Sequence, residues 1–454
     1  MKWLWDPDTR KWFVPGMGIK RWFFLLFLGM ALLGLGVSFL AREAYLNWVL
    51  PDTFYYLTLQ FVPQVLRGAL FIALAVSFVI IGVWKFNSAL ISAVRNRNHN
   101  GTSAGSTETE SLVNLVYRHR FSGRGPGIVT IGGGTGMSML LRGLKEYTDN
   151  LTAIVTVADD GGSSGRLRKD LGMIPLGDVR NCIAALADAE PLMTKLFQYR
   201  FPDGSGQDLV GHSFGNLFLV AMSGVTGSVE GAIHETSRVL AVRGRILPAT
   251  LEDIHLVGQT QDGSTIHGES AITAAATTIK SVGLDPNHPE AYPDAVNAIR
   301  NAELIVMGPG SLYTSILPNI LVPDIRISFL ESNAMKIYVS NVATQHGETD
   351  HYTVQDHVKA VENHIGGSPF DFVIANTNID KQLPRQWKSE PVRIDSGVNG
   401  KKNSYPIIAV DVIDVKNRYR HDPRKLADAI FNLYHESGKT TGQVDVSSQL
   451  LENM

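Results

Sequence analysis

Seven short apolar runs recur beyond about Pro126: Ile128–Ile131, Thr152–Val157, Ile254–Val257, Leu304–Met307, Lys336–Val339, Phe372–Ala375 and Ile407–Val412. Runs this short, without an alternating polar face, are what strands covered on both sides look like. Helical periodicity lies between several of them, as in Met137–Tyr147, Asp178–Ala189 and Pro423–His435. The combination predicts a doubly wound α/β domain with a mostly parallel sheet, whose ligand sits at the carboxyl ends of the strands.

Upstream the texture differs. Trp22 to Ala41 carries no charge between Arg21 and Arg42, and about 20 such residues are what a helix needs to cross a bilayer. A cleaved signal peptide is the competing reading, but the run exceeds the roughly 7–15 residues of an h-region and no small-x-small site follows. A second run, Gly68 to Trp84, sits at the short end of what can span, and a buried core helix is its competitor. Lys2, Arg10, Lys11, Lys20 and Arg21 precede the first span, and Lys85, Arg95 and Arg97 follow the second. The positive-inside rule then places both ends of the hairpin, and everything after it, in the cytoplasm. The expected organisation is a multi-pass membrane hairpin over residues 1–95, a flexible Gly/Ser/Thr-rich linker over 96–125, a nucleotide-binding domain over 126–440 and a polar tail over 441–454. Lys+Arg 41 against Asp+Glu 43 excludes a nucleic-acid binder driven by bulk positive charge. One cysteine in 454 residues excludes a disulfide scaffold and a Cys-rich metal site.

The chemistry is concentrated in loops. The first strand runs into Gly132, Gly133, Gly134, Thr135 and Gly136 and then a helix, where backbone N–H groups close on a phosphate and the helix N-terminus adds partial positive charge. A strand-to-helix turn that binds nothing is the bland alternative. A P-loop is excluded because no Gly-Lys-Ser/Thr follows, and the dinucleotide fingerprint fails at Met137. A tubulin-type nucleotide loop is closer in letters but has a glycine where Ser138 stands. After the second strand come Asp159, Asp160, Gly161, Gly162, Ser163, Ser164, Arg166 and Arg168: carboxylates for a divalent cation or a ribose, hydroxyl donors, and cations for phosphate, or else a solvated acidic turn. Asp178, ahead of Asn181 and an Ala-rich helix, is either an N-cap or a second metal-directed carboxylate. Gly211-His212-Ser213-Phe214-Gly215 spells the nucleophile elbow of serine hydrolases, but the apolar strand an elbow requires is missing before it. His212, Ser213 and Asn216 therefore read as donors at a helix start. Gly308, Pro309, Gly310 and Ser311 end a later strand and join the first loop's rim, completed by Asn341 and Gln345–Thr349.

Taken in order, IGGGTG, ADDGGSSGRLR, PLGDVRN, GHSFGN, GPGSLYTSILPN and NVATQHGETD closely resemble the bacterial gluconeogenesis factor family, a branch of the superfamily of 2-phospho-L-lactate transferase (CofD-like). The resemblance spans about residues 126–440, and the membrane hairpin lies outside it. It implies a Rossmann-like domain that binds a nucleotide diphosphate compound, a UDP-sugar in this branch, and supports cell shape and wall synthesis. It carries over to Gly132–Gly136, Asp159, Asp160, Ser163, Ser164, Asp178, Asn181, His212, Asn216 and Gly308–Ser311. In the transferase branch, positions corresponding to Asp160 and Asp178 would hold Mg²⁺ and be the catalytic carboxylates.

The leading expectation is thus a membrane-tethered, cytoplasm-facing nucleotide-sugar-binding regulator. Its competitor is a Mg²⁺-dependent phospholactate-type transferase using Asp160 and Asp178. A tubulin-like GTPase is a third reading. A homo-oligomer and a wall-synthesis partner docked on the hairpin are further candidate partners.

Overall fold

The computed structural model divides the chain into two compact units, Met1–Phe121 and Ser122–Met454. It describes residues 125–438 except 189–190, 207, 276, 380–382 and 396–404, and in the first unit residues 28–32, 34, 62–63, 65–74, 76–78 and 81. Of the expected membrane spans, residues 28–32, 34, 68–74, 76–78 and 81 are helical, and the remaining span residues lie outside the described ones. Residue 125 apart, so do the linker and the polar tail. Leu28, Met30, Leu70, Leu74, Val76 and Ile81 are exposed. Among the described residues no single helix is long and apolar enough to cross a membrane.

The second unit is built on seven parallel strands in the order β10-β9-β8-β7-β1-β2-β3. These are β1 (Ile128–Gly132), β2 (Leu151–Val155), β3 (Arg245–Pro248), β7 (Leu304–Met307), β8 (Met335–Val339), β9 (Phe372–Asn376) and β10 (Ile407–Val410). Every residue of β1, β2 and β7 is buried, whereas β3 begins exposed and β10 is half-buried throughout. That gradient is why the central strands read as unbroken apolar runs. β4 (His255–Thr260), β5 (Thr265–His267) and β6 (Ile279–Asp285) form a separate antiparallel sheet in the order β5-β4-β6. The apolar run Ile254–Val257 therefore belongs to this small sheet, and the third parallel strand is Arg245–Pro248. The arginine and proline at its ends, and its place at the sheet edge, mask the pattern.

The described helices of this unit are α1 (Gly134–Leu144), α2 (Gly162–Leu171), α3 (Gly177–Leu186), α4 (Pro191–Gln198), α5 (Phe214–Thr226), α6 (Val229–Val239), α7 (Glu269–Ala275), α8 (Pro293–Arg300), α9 (Leu317–Ile320), α10 (Pro323–Glu331), α11 (Val354–Ile365) and α12 (Pro423–Gly438). Helix α1 buries Met137, Leu140, Leu141 and Leu144 on one face, the i, i+3, i+4, i+7 stripe of an amphipathic helix. Its Gly143 lies against the Pro423 carbonyl, so the absent side chain is what lets α12 pack on α1. Helix α11 starts with a capping box, Thr353 and Asp356 each bonding the other's backbone N–H. From β1 the chain moves to β2 and β3 on one side, then returns to β7, β8, β9 and β10 on the other. The reversal falls between β1 and β7, the topological switch point where open parallel sheets bind ligands.

Candidate functional site

The two glycine loops meet at that switch point. An added Cβ on Gly136 would stand 2.6 Å from the Pro309 carbonyl oxygen, and one on Gly310 would stand 3.3 Å from the Gly133 carbonyl oxygen. Gly134, at φ +67, takes the left-handed conformation that glycine tolerates. Neighbouring amides brace the junction. Asn341 Nδ2 donates to the Gly310 carbonyl at 2.8 Å and its Oδ1 accepts from Gly310 N–H at 3.1 Å. Gln345 Nε2 donates to Ser311 Oγ at 2.6 Å, and Asn319 Nδ2 donates to the Gly132 carbonyl at 2.9 Å. Between them lies a cavity of about 110 Å³ lined by Gly133–Gly136, Pro309–Ser311, Asn341, Gln345 and Tyr419–His421. That is below the roughly 300 Å³ of a small-molecule pocket, a size for part of a ligand, and Arg420 at its exposed rim is a cation for an anionic group.

Asp178 closes the floor. An added Cβ on Gly133 would come within 2.5 Å of Asp178 Oδ2, and the Asp178 carboxylate accepts the Gly134 backbone N–H. The N-cap of its own helix, α3, is Leu176, and Asp178 stands in the first turn. The cap expected of Asp178 therefore goes to α1, across the site. Burial, then the charge of Asp159, raises its pKa to about 6 against the pull of Gly134 and Asn181. Asp159 accepts Gly161 N–H at 2.8 Å and the Ser164 hydroxyl, and burial, with Asp160 adding repulsion, raises its pKa. Asp160 points elsewhere: its Oδ1 accepts Ser270 N–H at 2.8 Å at the start of α7, with Gly268 against its other oxygen. Glu269 is thereby carried over the Asp159–Gly161 loop. Burial and then Asp159 and Asp160 raise its pKa to about 8. Glu348, almost fully buried, accepts the Thr314 hydroxyl at 3.0 Å, and burial raises its pKa to about 7.

Ser163, Ser164, His212 and Asn216 form one buried network. Ser163 Oγ lies 3.0 Å from His212 Nδ1, and Asn216 Nδ2 donates to Ser163 Oγ at 3.0 Å and Ser164 Oγ at 3.3 Å. Ser213 caps α5 by accepting Asn216 N–H at 3.2 Å, and the residues before it are turns with no strand, so the hydrolase elbow is not built. Asn181 accepts from Arg180 at 2.9 Å and bonds Asp178. Arg168, expected near phosphate, is buried; its Nη2 pairs with Asp253 at 2.5 Å and donates to the Ile254 carbonyl at 2.6 Å, tying α2 to the loop before β4.

Comparison with known proteins places the chain in a family. Residues 128–413 match the 2-phospho-L-lactate transferase CofD family. The chain belongs to the CofD family. Among its relatives, the gluconeogenesis factor of Bacillus subtilis is 46% identical over 318 residues, 69% of this chain and all of that protein. A Nostoc sp. relative carrying the same factor name in provisional form is 43% identical over 432 residues, 93% of this chain and 92% of that one. That coverage cannot fit within the second unit, so the likeness to the Nostoc protein extends into the first. A crystal structure of a Bacillus halodurans protein superposes with a TM-score of 0.63 at 43% identity, over 68% of this chain and 99% of that one.

The CofD family implies a divalent cation, and the donor set bears on it. After burial, the charge of Asp159 raises the Asp178 pKa beside the glycine loop, a repulsion that a divalent cation would relieve. Among the described residues, however, no three His, Cys, Asp or Glu side chains converge as a metal-ligand set. Mg²⁺ generally takes one or two carboxylates together with substrate phosphates, and Asp159 and Asp178 are the pair beside the glycine loop that would hold it. Asp160, expected with Asp178 as the metal-directed pair, has one carboxylate oxygen accepting Ser270 N–H. Arg420 and Glu269 enter the site unannounced by sequence, whereas Glu348 belongs to the Gln345–Thr349 segment expected at the rim. Arg420 lies more than a hundred residues from either glycine loop, and Glu269 sits in no motif of its own.

Proposed function

We propose that this chain is a nucleotide-sugar-binding regulator of carbon metabolism, wall synthesis and cell shape, held at the membrane by its N-terminal hairpin with the α/β domain in the cytoplasm. The observation that carries this reading is the junction of the two glycine loops at the switch point. It offers backbone donors, helix α1 and Arg420 to a diphosphate while excluding side chains from the contact. The gluconeogenesis factor names of its relatives support the regulatory role. The exposed apolar side chains Val65, Leu66, Leu70, Leu74, Val76 and Ile81 of the helical residues 65–74, 76–78 and 81 support a lipid-facing hairpin.

The test is isothermal titration of the full chain in detergent micelles with UDP-N-acetylglucosamine, UDP-glucose, GDP and GTP, with and without Mg²⁺. Saturable UDP-sugar binding without turnover is expected. Preference for a guanine nucleotide that requires Mg²⁺ would overturn it. The match to a transferase family favours a second reading, a Mg²⁺-dependent 2-phospho-L-lactate transferase-like enzyme. It predicts product formation that Asp178→Asn abolishes while nucleotide binding remains; no product with any nucleotide refutes it.

A further inference from the structure

His212 is buried one shell away from the glycine loops, and its hydrogen-bond partners define a directed chain. The Asp159 carboxylate accepts from the Ser164 hydroxyl, which leaves Ser164 Oγ as acceptor toward Asn216 Nδ2. The same amide donates to Ser163 Oγ, which also lies 3.4 Å from the Ser213 N–H. With those donors aimed at it, Ser163 gives its own proton to His212 Nδ1 at 3.0 Å. The imidazole is then neutral with its proton on Nε2. The two hydroxyls donate outward from Asn216, Ser164 to Asp159 and Ser163 to His212, with an acceptor at each end.

We infer that His212 is a positioning residue, acting through Ser163, Asn216 and Ser164 to aim the Ser164 hydroxyl at Asp159, and that it does not itself touch the ligand. The inference rests on the nucleotide-sugar reading, since Asp159 is taken as facing the bound compound. The chain explains why a glycine-flanked His-Ser pair more than forty residues from the Asp-Asp loop belongs to the same site. A hydrogen bond in such a chain polarises the next, so removing the terminal acceptor frees Ser163 to rotate and Asn216 to follow it.

The atom involved makes the test sharp. An asparagine amide occupies about the position of histidine Nδ1, and a glutamine amide about that of Nε2. UDP-N-acetylglucosamine is titrated into the full chain in detergent, for wild type, His212→Ala, His212→Asn, His212→Gln, Ser163→Ala and the double variant Ser163→Ala/His212→Ala, with thermal unfolding followed for each. His212→Ala is expected to weaken binding about tenfold, one hydrogen bond in a coupled chain. His212→Asn restores it to within about twofold, His212→Gln does not, and the double variant binds no more weakly than the worse single variant. Rescue by glutamine instead of asparagine would mean direct ligand contact through Nε2 and overturns the inference, as do additive effects or wild-type affinity throughout. If alanine prevents folding, the asparagine and glutamine pair decides alone. A wild type that binds no UDP-sugar defeats the functional reading and this inference with it, whereas wild-type binding with the wrong rescue pattern defeats only the inference.

Discussion

Replacing Gly136 by alanine tests the central claim that two backbones meet at the switch point with no room for a side chain. The new methyl would stand 2.6 Å from the Pro309 carbonyl oxygen, 2.9 Å from its carbon and 3.1 Å from Gly310 Cα. All three are backbone atoms, so no side-chain rotation relieves the contact. An ordinary contact begins near 3.4 Å, so the loops must separate by about 0.8 Å, an overpacking of the kind that costs about 1–3 kcal/mol. At about 2–4 °C per kcal/mol for a domain of this class, thermal unfolding should fall by several degrees. Separating the loops also shifts the Gly310 and Ser311 backbone that is proposed to meet the diphosphate, so UDP-sugar affinity should fall at least about tenfold, since one charge-assisted hydrogen bond is worth about that much. Gly283→Ala, where an added Cβ meets nothing within 4 Å, is the control and should change neither. Unfolding temperature and affinity both at wild-type values in Gly136→Ala would refute the idea that the junction forms the site.

Arg420→Ala removes an exposed rim cation and should weaken UDP-sugar binding about tenfold with the unfolding temperature unchanged; equal affinity in 50 mM and 500 mM salt for wild type would argue against any phosphate role for it. Burial raises the Glu348 pKa from 4.5 to about 7, so the folded state keeps a proton that the unfolded chain releases. The associated stability is fully present below about pH 4.5 and is lost as pH rises to about 7, on the order of 3 kcal/mol. Burial lowers the His421 pKa to about 4, which acts in the opposite sense, so the readout is the difference in urea midpoint between wild type and Glu348→Gln, which should favour wild type more at pH 5 than at pH 8. Asp178 and Glu269, raised to about 6 and about 8, contribute slopes of the same sign, so some pH dependence should remain in that variant.

The sheet was legible wherever burial on both faces leaves an unbroken apolar run. β1, β2, β7, β8 and β9 fall on such runs, because central parallel strands permit no polar alternation; β10, a half-buried edge strand, was legible only because all four of its residues are apolar. β3 escaped because an edge strand of four residues that starts with arginine and ends with proline carries no such signature, and Ile254–Val257 stood in for it although its partners are antiparallel. The glycine loops were legible for a local reason: a strand, a close turn and a helix are consecutive in sequence, and only small residues fit.

What sequence could not decide is which long-range partner each polar group takes. Asp178 looks like a cap for the helix it begins, yet its carboxylate goes to Gly134 across the site. Asp160 and Arg168 read as ligand groups, yet one accepts from α7 and the other pairs with Asp253. Glu269 and Arg420 reach the site from segments far along the chain from either glycine loop. By itself the sequence determined the strand-loop-helix units and the small residues at their junctions, because those depend on neighbours a few positions apart. Only the tertiary structure decided which carboxylates share a field and which cation stands over the cleft. Hydrogen bonds and charges act through space over a few ångströms, and chain separation carries no record of that distance.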